Sequence, residues 1–256
     1  MTTLSYARLV LEHWGVAVDD IPTSDKEESD FLVAFGSIKV LIEEKTKLDD
    51  PAYLAQRAQV LDSGEIHAAS VPLVRDNRLS GIVSKAARQL QSSASQPHDF
   101  RLVWFTATGR QAEAKYHQFI ATLYGTTKIL EMNRDYYRAC YFFRNSDFHR
   151  HAAILDGAVA AYLSGTSITA RLCLNPLSSN YAALKASPVV ARFGNGIEDP
   201  MQSEADGVSF VVDGDIDRND EASLLAHLQQ KYGTAPLMKF DLGHISASIL
   251  VDDSDN

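Results

Sequence analysis

The stretch from Ser29 to Lys47, SDFLVAFGSIKVLIEEKTK, decides how the chain is read. An acidic residue opens it, two apolar runs flank Gly36-Ser37, and the second run ends in Glu43-Glu44-Lys45. Glycine at the first position of a two-residue loop suits a type II′ hairpin, because that turn needs positive φ there and its twist matches the flanking strands. The tight turn then sets the register: Phe35 opposes Ile38, Phe31 opposes Ile42, and Asp30 opposes Glu43. Alternation sends Leu41, Glu43 and Lys45 to one face, and Val40, Ile42 and Glu44 to the other. Opposed Cβ atoms lie roughly 5 Å apart, so two carboxylates there repel unless a cation joins them. Lys45 follows on the same face. Two carboxylates and a neighbouring ammonium suit Mg²⁺-assisted phosphoryl chemistry, since Mg²⁺ prefers oxygen ligands and keeps several waters. The same residues also read as a solvated hairpin end in which Lys45 neutralises Glu43.

Around this hairpin the apolar spacing predicts an α/β order. Leu4, Ala7, Leu11 and Trp14 are spaced as on a helix that stops at Gly15, and VAV is a short strand. A helix is expected from Pro51 to about Leu61, and a second, amphipathic one over LSGIVSKAARQLQSS. FRLVWFTAT reads as a buried strand and RQAEAKYHQFIATLYG as a helix ended by Gly125. In the second half ACYFFRN, ITARLCL, VSFVV and HISASILV read as strands, and DEASLLAHLQQKYG as a helix. GNGIEDPMQSEADG reads as a long mobile loop, and Asp156-Gly157 with its small neighbours as a turn.

Composition narrows the classes. The hydrophobic share of 45% and charged share of 22% are those of a soluble globular protein, and no apolar run approaches the roughly 20 residues a bilayer span needs. The N-terminus lacks the pattern of a secretory signal, and Cys140 and Cys173 are the only cysteines, so a cytoplasmic protein with reduced thiols and no membrane partner is expected. The net charge of -9 argues against a surface coated with basic residues, while leaving room for a local basic groove. Much of the acidity sits in DDIPTSDKEESD and in the tail DDSDN, both read as solvated.

Asp30, a strand, a turn and Glu43-Glu44-Lys45 closing the next strand resemble the PD-(D/E)xK nuclease superfamily, whose members have restriction-endonuclease-like folds. The resemblance covers roughly residues 1–110. It implies an α/β fold with a central mixed β-sheet flanked by helices, residues 1–125 forming the nuclease-like core. Residues 126–256 form a C-terminal α+β region, separate or completing the same domain. It also implies DNA as substrate, Mg²⁺ or Mn²⁺ as cofactor, Asp30 and Glu43 as metal ligands, and Lys45 as the catalytic lysine. The Glu44 carbonyl is implied as a backbone ligand. Glu12, on the helix before the hairpin, and Gln89 or Lys85, on the helix after it, correspond to further polar positions of the family. Serine rather than proline precedes Asp30, and glutamate rather than an apolar or small residue is the middle of E-x-K.

Two other classes remain open from the residues: a non-catalytic nucleic-acid- or protein-binding module keeping this fold, and a C-terminal half that mediates homo-oligomerisation or contact with a partner protein. FHRH would place His149 and His151 on one strand face, without an evident third metal ligand. DGDIDRND resembles a calcium loop at Asp213, Asp215 and Asp217, but Arg218 and Leu224 stand where glycine and a bidentate glutamate are needed, which rejects it. The aromatic and arginine alternation from Arg134 to Arg150 could stack bases, and reads more simply as strand with one buried face.

Overall fold

The computed structural model describes residues 4–21, 28–240 and 248–250. Half of DDIPTSDKEESD, all of DDSDN and much of HISASILV lie outside the described residues. Helix α1 (Tyr6–His13) starts at Ser5, whose hydroxyl accepts the Arg8 N–H, and it buries Ala7 and Leu11. The chain then turns at Gly15, φ +69°, into β1 (Ala17–Asp20). β1, β2 (Phe31–Phe35) and β3 (Ile38–Lys47) form an antiparallel meander. At the β2–β3 turn Gly36 has φ +66° and Ser37 does not enter positive φ, as a type II′ loop requires. Phe35 pairs with Ile38 and Phe31 with Ile42, the register expected from the turn.

Helix α2 (Pro51–Asp62) begins at a proline behind the Asp50 cap, and β4 (His67–Ala69) follows. Helix α3 (Asn77–Ser92) is capped by Asp76, which accepts the Arg78 and Leu79 N–H groups. It leads to β5 (Phe100–Ala107), which lies parallel to β3. Helix α4 (Ala112–Tyr124) ends at Gly125 in the left-handed conformation. The second half contributes β6 (Thr127–Glu131), β7 (Tyr137–Tyr141), α5 (Asp147–Arg150), β8 (Gly157–Ser164) and β9 (Ser167–Leu174). It continues with α6 (Tyr181–Lys185), α7 (Pro188–Ala191), β10 (Ile197–Glu198), α8 (Pro200–Ala205) and β11 (Ser209–Val211). Last come α9 (Glu221–Tyr232), β12 (Leu237–Lys239) and β13 (Ser248–Leu250).

The result is α/β: a mixed seven-stranded sheet of order β1-β2-β3-β5-β8-β9-β10, and a second sheet of order β11-β7-β6-β12, with helices packed on them. β13 pairs with β4 apart from both. Three strands of the large sheet come from beyond residue 125. One face of that sheet buries Val40, Ile42 and Trp104 against Ala7 and Leu11 of α1. The other buries Leu41, Val103 and Phe105 against α3, α4 and the smaller sheet. Strand β3 is therefore covered on both sides, and its charged end closes over two different helices.

Three local expectations are overturned. Asp156-Gly157 is not a turn: Gly157 opens β8, a central strand whose small residues are demanded by packing on both faces, where a Cβ on Gly157 would meet the Cys173 carbonyl oxygen at 2.8 Å. GNGIEDPMQSEADG is not a long loop. It holds β10 and α8, the latter nucleated by Asp199 at its cap and Pro200 in its first turn. FHRH is not a strand, because Ser146 accepts the His149 N–H and starts the single turn of α5. The arginine and aromatic alternation resolves mainly as burial: Tyr141, Phe142, Phe143 and Phe148 are buried, and Arg138 lies over the Phe210 ring at 3.7 Å while pairing with Glu131. Asp213, in the rejected calcium loop, pairs instead with His227 and Lys231.

Candidate functional site

The site forms at the end of β3. The paired register ends at Phe31 opposite Ile42; Asp30, in the bend just before β2, donates its N–H to the Ile42 carbonyl at 3.2 Å and brings its carboxylate beside Glu43. The Asp30 carboxylate accepts the Glu44 N–H through Oδ2 at 2.7 Å, so it is held at the strand end by main chain. Ser29, just before it, donates its N–H to Ser93 Oγ at 2.8 Å. Proline at that position could not make this bond, so serine has a local role there.

Glu43 is fully buried, 0% exposed, on the face shared with α3 and α4. Lys45 Nζ donates to Glu43 Oε1 and, at 2.9 Å, to Gln89 Oε1. Glu43 Oε2 is buried without a hydrogen-bond partner. Burial is the largest influence on Glu43 and pushes its pKa up to about 7; Lys45 pulls it down, and the nearby Asp30 carboxylate pushes it up again. A buried carboxylate facing a second carboxylate resists ionisation unless positive charge arrives. Lys45 supplies some of that charge and remains partly exposed.

Gln89 reaches the site because Ala86, Ala87 and Leu90 anchor α3 on the sheet, turning the adjoining position toward the β3 end. Glu44 turns its side chain the other way, as alternation requires. Its carboxylate accepts the Ala7 N–H at 2.9 Å and the Ser5 hydroxyl, at the N-terminus of α1. An anion there satisfies helix N–H groups and meets the positive end of the helix dipole. The middle glutamate of E-x-K is thus a tether between β3 and α1. The signal that could have found it is Ser5, a helix-cap residue type just ahead of the first helical turn.

Glu12 is not brought to this cluster. It lies in the last turn of α1, 54% of its side chain exposed, with Arg8 at 3.4 Å as its partner. Lys85 is exposed on α3. His149 and His151 do not converge: His149 caps onto Ser146 through its backbone, and the His151 ring meets Ser84 at 3.1 Å. Among the described residues no group of three or more His, Cys, Asp or Glu is arranged to hold a metal ion. A cation at the β3 end would therefore rest on the Asp30 and Glu43 carboxylates with solvent or substrate oxygens, a donor set that suits Mg²⁺ or Mn²⁺ and not Zn²⁺. No helix among the described residues is long and apolar enough to cross a membrane. Compared with known proteins, the chain matches no family model, no curated protein and no solved structure.

Proposed function

We propose that the end of β3 is the active site of a divalent-cation-dependent nuclease that hydrolyses DNA phosphodiester bonds. The observation that carries this reading is Glu43: fully buried, beside the Asp30 carboxylate, with one carboxylate oxygen that no hydrogen-bond donor of the fold reaches. Nothing in the packing requires a carboxylate at that depth, and a hydrophobic residue would cost less to bury. The order of elements supports a restriction-endonuclease-like core: helix α1, the β1–β3 meander, helix α3, then β5 parallel to β3, with α1 and α3 on opposite faces.

Asp30 and Glu43 would hold Mg²⁺ or Mn²⁺, with the Glu44 carbonyl as a further oxygen. Bound there, the ion would polarise a phosphate oxygen and stabilise charge developing on phosphorus. Lys45 keeps an ammonium at the mouth of the site, where it orients the attacking water and meets negative charge on the phosphate. Gln89 holds Lys45 in place through its Oε1. Asp30, fixed by the Glu44 N–H, cannot swing away when Glu43 ionises. DNA is supported by α3, where Arg78, Lys85 and Arg88 are exposed at i, i+7 and i+10, on the side that carries Gln89. Such a row fits a phosphate backbone leading to the site.

Cleavage of supercoiled plasmid with Mg²⁺ or Mn²⁺ tests the reading. Asp30→Ala and Lys45→Ala should each lower the rate by about a thousandfold while the chain stays folded by circular dichroism at the assay temperature. Variants that cut as fast as the parent would sink it. A second reading, a binding module without catalysis, draws on the Lys45–Glu43 pair, which already neutralises the buried charge. It predicts no heat on titrating Mg²⁺ or Mn²⁺ into the protein.

A further inference from the structure

A second cleft lies away from the β3 end, between the segment after β7, helix α5 and the loop 213–218. It consists of two adjoining cavities of about 360 Å³ and about 510 Å³, which share Phe142, His149, Gly214, Asp215 and Arg218 as walls. Each is within the size range of small-molecule sites. The halves differ in chemistry. The smaller is lined by Arg144, Arg150, Arg218 and His149 against a single carboxylate, Asp215, in a chain of net charge -9. The larger is walled by Pro176, Leu177, Met201, Val211 and Val212.

The basic half is held in place rather than left to solvent. Arg150 is tied through Nη1 to Asp147 and to Ser80, both at 3.0 Å. Arg218 donates to the carbonyls of its own loop, Ile216 at 2.6 Å and Gly214 at 3.2 Å. Burial pushes the Arg218 pKa down, and the Asp215 and Asp213 charges nearby pull it back only in part. An incoming anion would restore the stabilisation that burial removes. Arginine is the residue suited to such an anion, since its planar fork matches two phosphate oxygens.

At the junction of the halves stands Phe142, φ +59°, the only non-glycine with positive φ among the described residues. A bulky side chain is rarely found there, and such backbone strain gathers at ligand sites. Here it is held by the core: the Phe142 N–H donates to Tyr124 O at 2.9 Å, and the ring meets Tyr124 edge-on. The Arg144 N–H donates to Gly125 O at 2.9 Å, across a glycine whose Cβ would strike Arg144 O at 2.3 Å. The strained turn thus ends β7 and aims Arg144 into the cleft. In the apolar half Asp213 and Glu204 are occupied by Lys231, which leaves Asp215, at the junction, to accept N–H groups of a ligand.

We infer that this cleft binds a nucleotide, its phosphate on Arg144, Arg150 and Arg218 and its base on the Leu177–Met201 wall. A ligand with an anionic end and a flat, weakly polar end carrying N–H donors fits the two halves together. The site is independent of the metal-site reading. A free nucleotide and the phosphorylated end of a nucleic-acid strand offer the same chemistry.

Isothermal titration of the full chain with AMP, adenosine and inorganic phosphate tests the inference. AMP should bind roughly tenfold or more tightly than either fragment. Arg218→Gln should weaken AMP about tenfold or more, with Arg218→Lys recovering part of the loss. Leu177→Asp, at a residue 42% exposed and so tolerated by the fold, should weaken AMP and leave phosphate binding unchanged. AMP binding no tighter than phosphate, or unaffected by both Arg218→Gln and Leu177→Asp, would overturn it. A DNA oligomer that binds more tightly than AMP, and that loses this tightness without its 5′-phosphate or with Arg218→Gln, assigns the strand end, and weaker binding than AMP assigns the free nucleotide. Asp30→Ala should bind AMP as the parent does, so failure here leaves the nuclease proposal standing.

Discussion

Glu43 and Asp156 are both buried carboxylates of the same sheet, at 0% and 2% exposure, and their surroundings are opposite. Asp156 fills its lone pairs: Oδ2 accepts the Arg101 N–H at 2.8 Å, and Oδ1 accepts Ser178 Oγ at 2.6 Å and Asn180 Nδ2 at 3.1 Å. Glu43 has Lys45 on one oxygen, no donor on the other, and the Asp30 carboxylate as its neighbour. Asp147 is an intermediate case, since its Oδ2 is also unpartnered but its neighbours are Arg150 and Ser80 rather than a second carboxylate. The contrast separates a carboxylate that organises the fold from one the fold leaves incomplete. Buried donors and acceptors that are all matched stabilise a structure, whereas an unmatched charge weakens it and marks a place for a ligand.

Removing each carboxylate should therefore act in opposite directions. Asp156→Ala strands the Arg101 N–H, Ser178 and Asn180 together, and should lower stability by about 4 kcal/mol, read by urea denaturation. A loss below about 1 kcal/mol would show that Asp156 is not organising the loop after β9.

Glu43→Gln should instead raise stability, and only at high pH. With its pKa raised from 4.5 to about 7, folded Glu43 holds its proton where the unfolded chain has released it. Its contribution to stability is thus present below 4.5 and is lost as pH rises toward 7. At roughly 1.4 kcal/mol per pH unit, the loss reaches about 3 kcal/mol at pH 8. Glutamine carries no such loss, so the variant should be more stable than the parent at pH 8, with the gap closing by pH 5. A gap independent of pH would mean that Glu43 ionises as easily as an exposed glutamate.

On the proposed function, the same proton competes with the metal. Affinity for Mn²⁺ should rise roughly fivefold between pH 6 and pH 7 and by about twofold more above that, because the ion needs ionised Glu43. Calorimetric titration at the two pH values measures this, and a flat profile would remove Glu43 from the ligand set. The smallest effect is expected at Glu12: Glu12→Gln should change stability by less than about 0.5 kcal/mol and leave DNA cleavage at the parent's rate. A large loss of cleavage would put α1's last turn back into the site.

Regions whose contacts are near in sequence were legible from it, and those built from distant contacts were not. Gly36-Ser37 carried the hairpin register because a two-residue loop leaves one pairing available. Helix α3 announced itself by its amphipathic periodicity, and α4 and α9 by their glycine stops, Gly125 and Gly233. Strand β8 did not, since Gly157, Ala158, Ala160 and Ala161 have weak strand preference and owe their place to neighbours on both faces of the sheet. Helix α8 was hidden within a stretch dense in glycine and acidic residues, although Asp199-Pro200 was the signal for its start.

The candidate site divides along the same line. The sequence alone determined that Asp30, Glu43 and Lys45 share one strand end, because pleating and a tight turn are local constraints. Only the tertiary structure decided that Glu43 is sealed on the α3 face of the sheet, that Gln89 steadies Lys45, and that Glu44 serves α1. Burial is the reason: how readily a carboxylate ionises depends on what packs over it, and here those residues arrive from more than forty positions away.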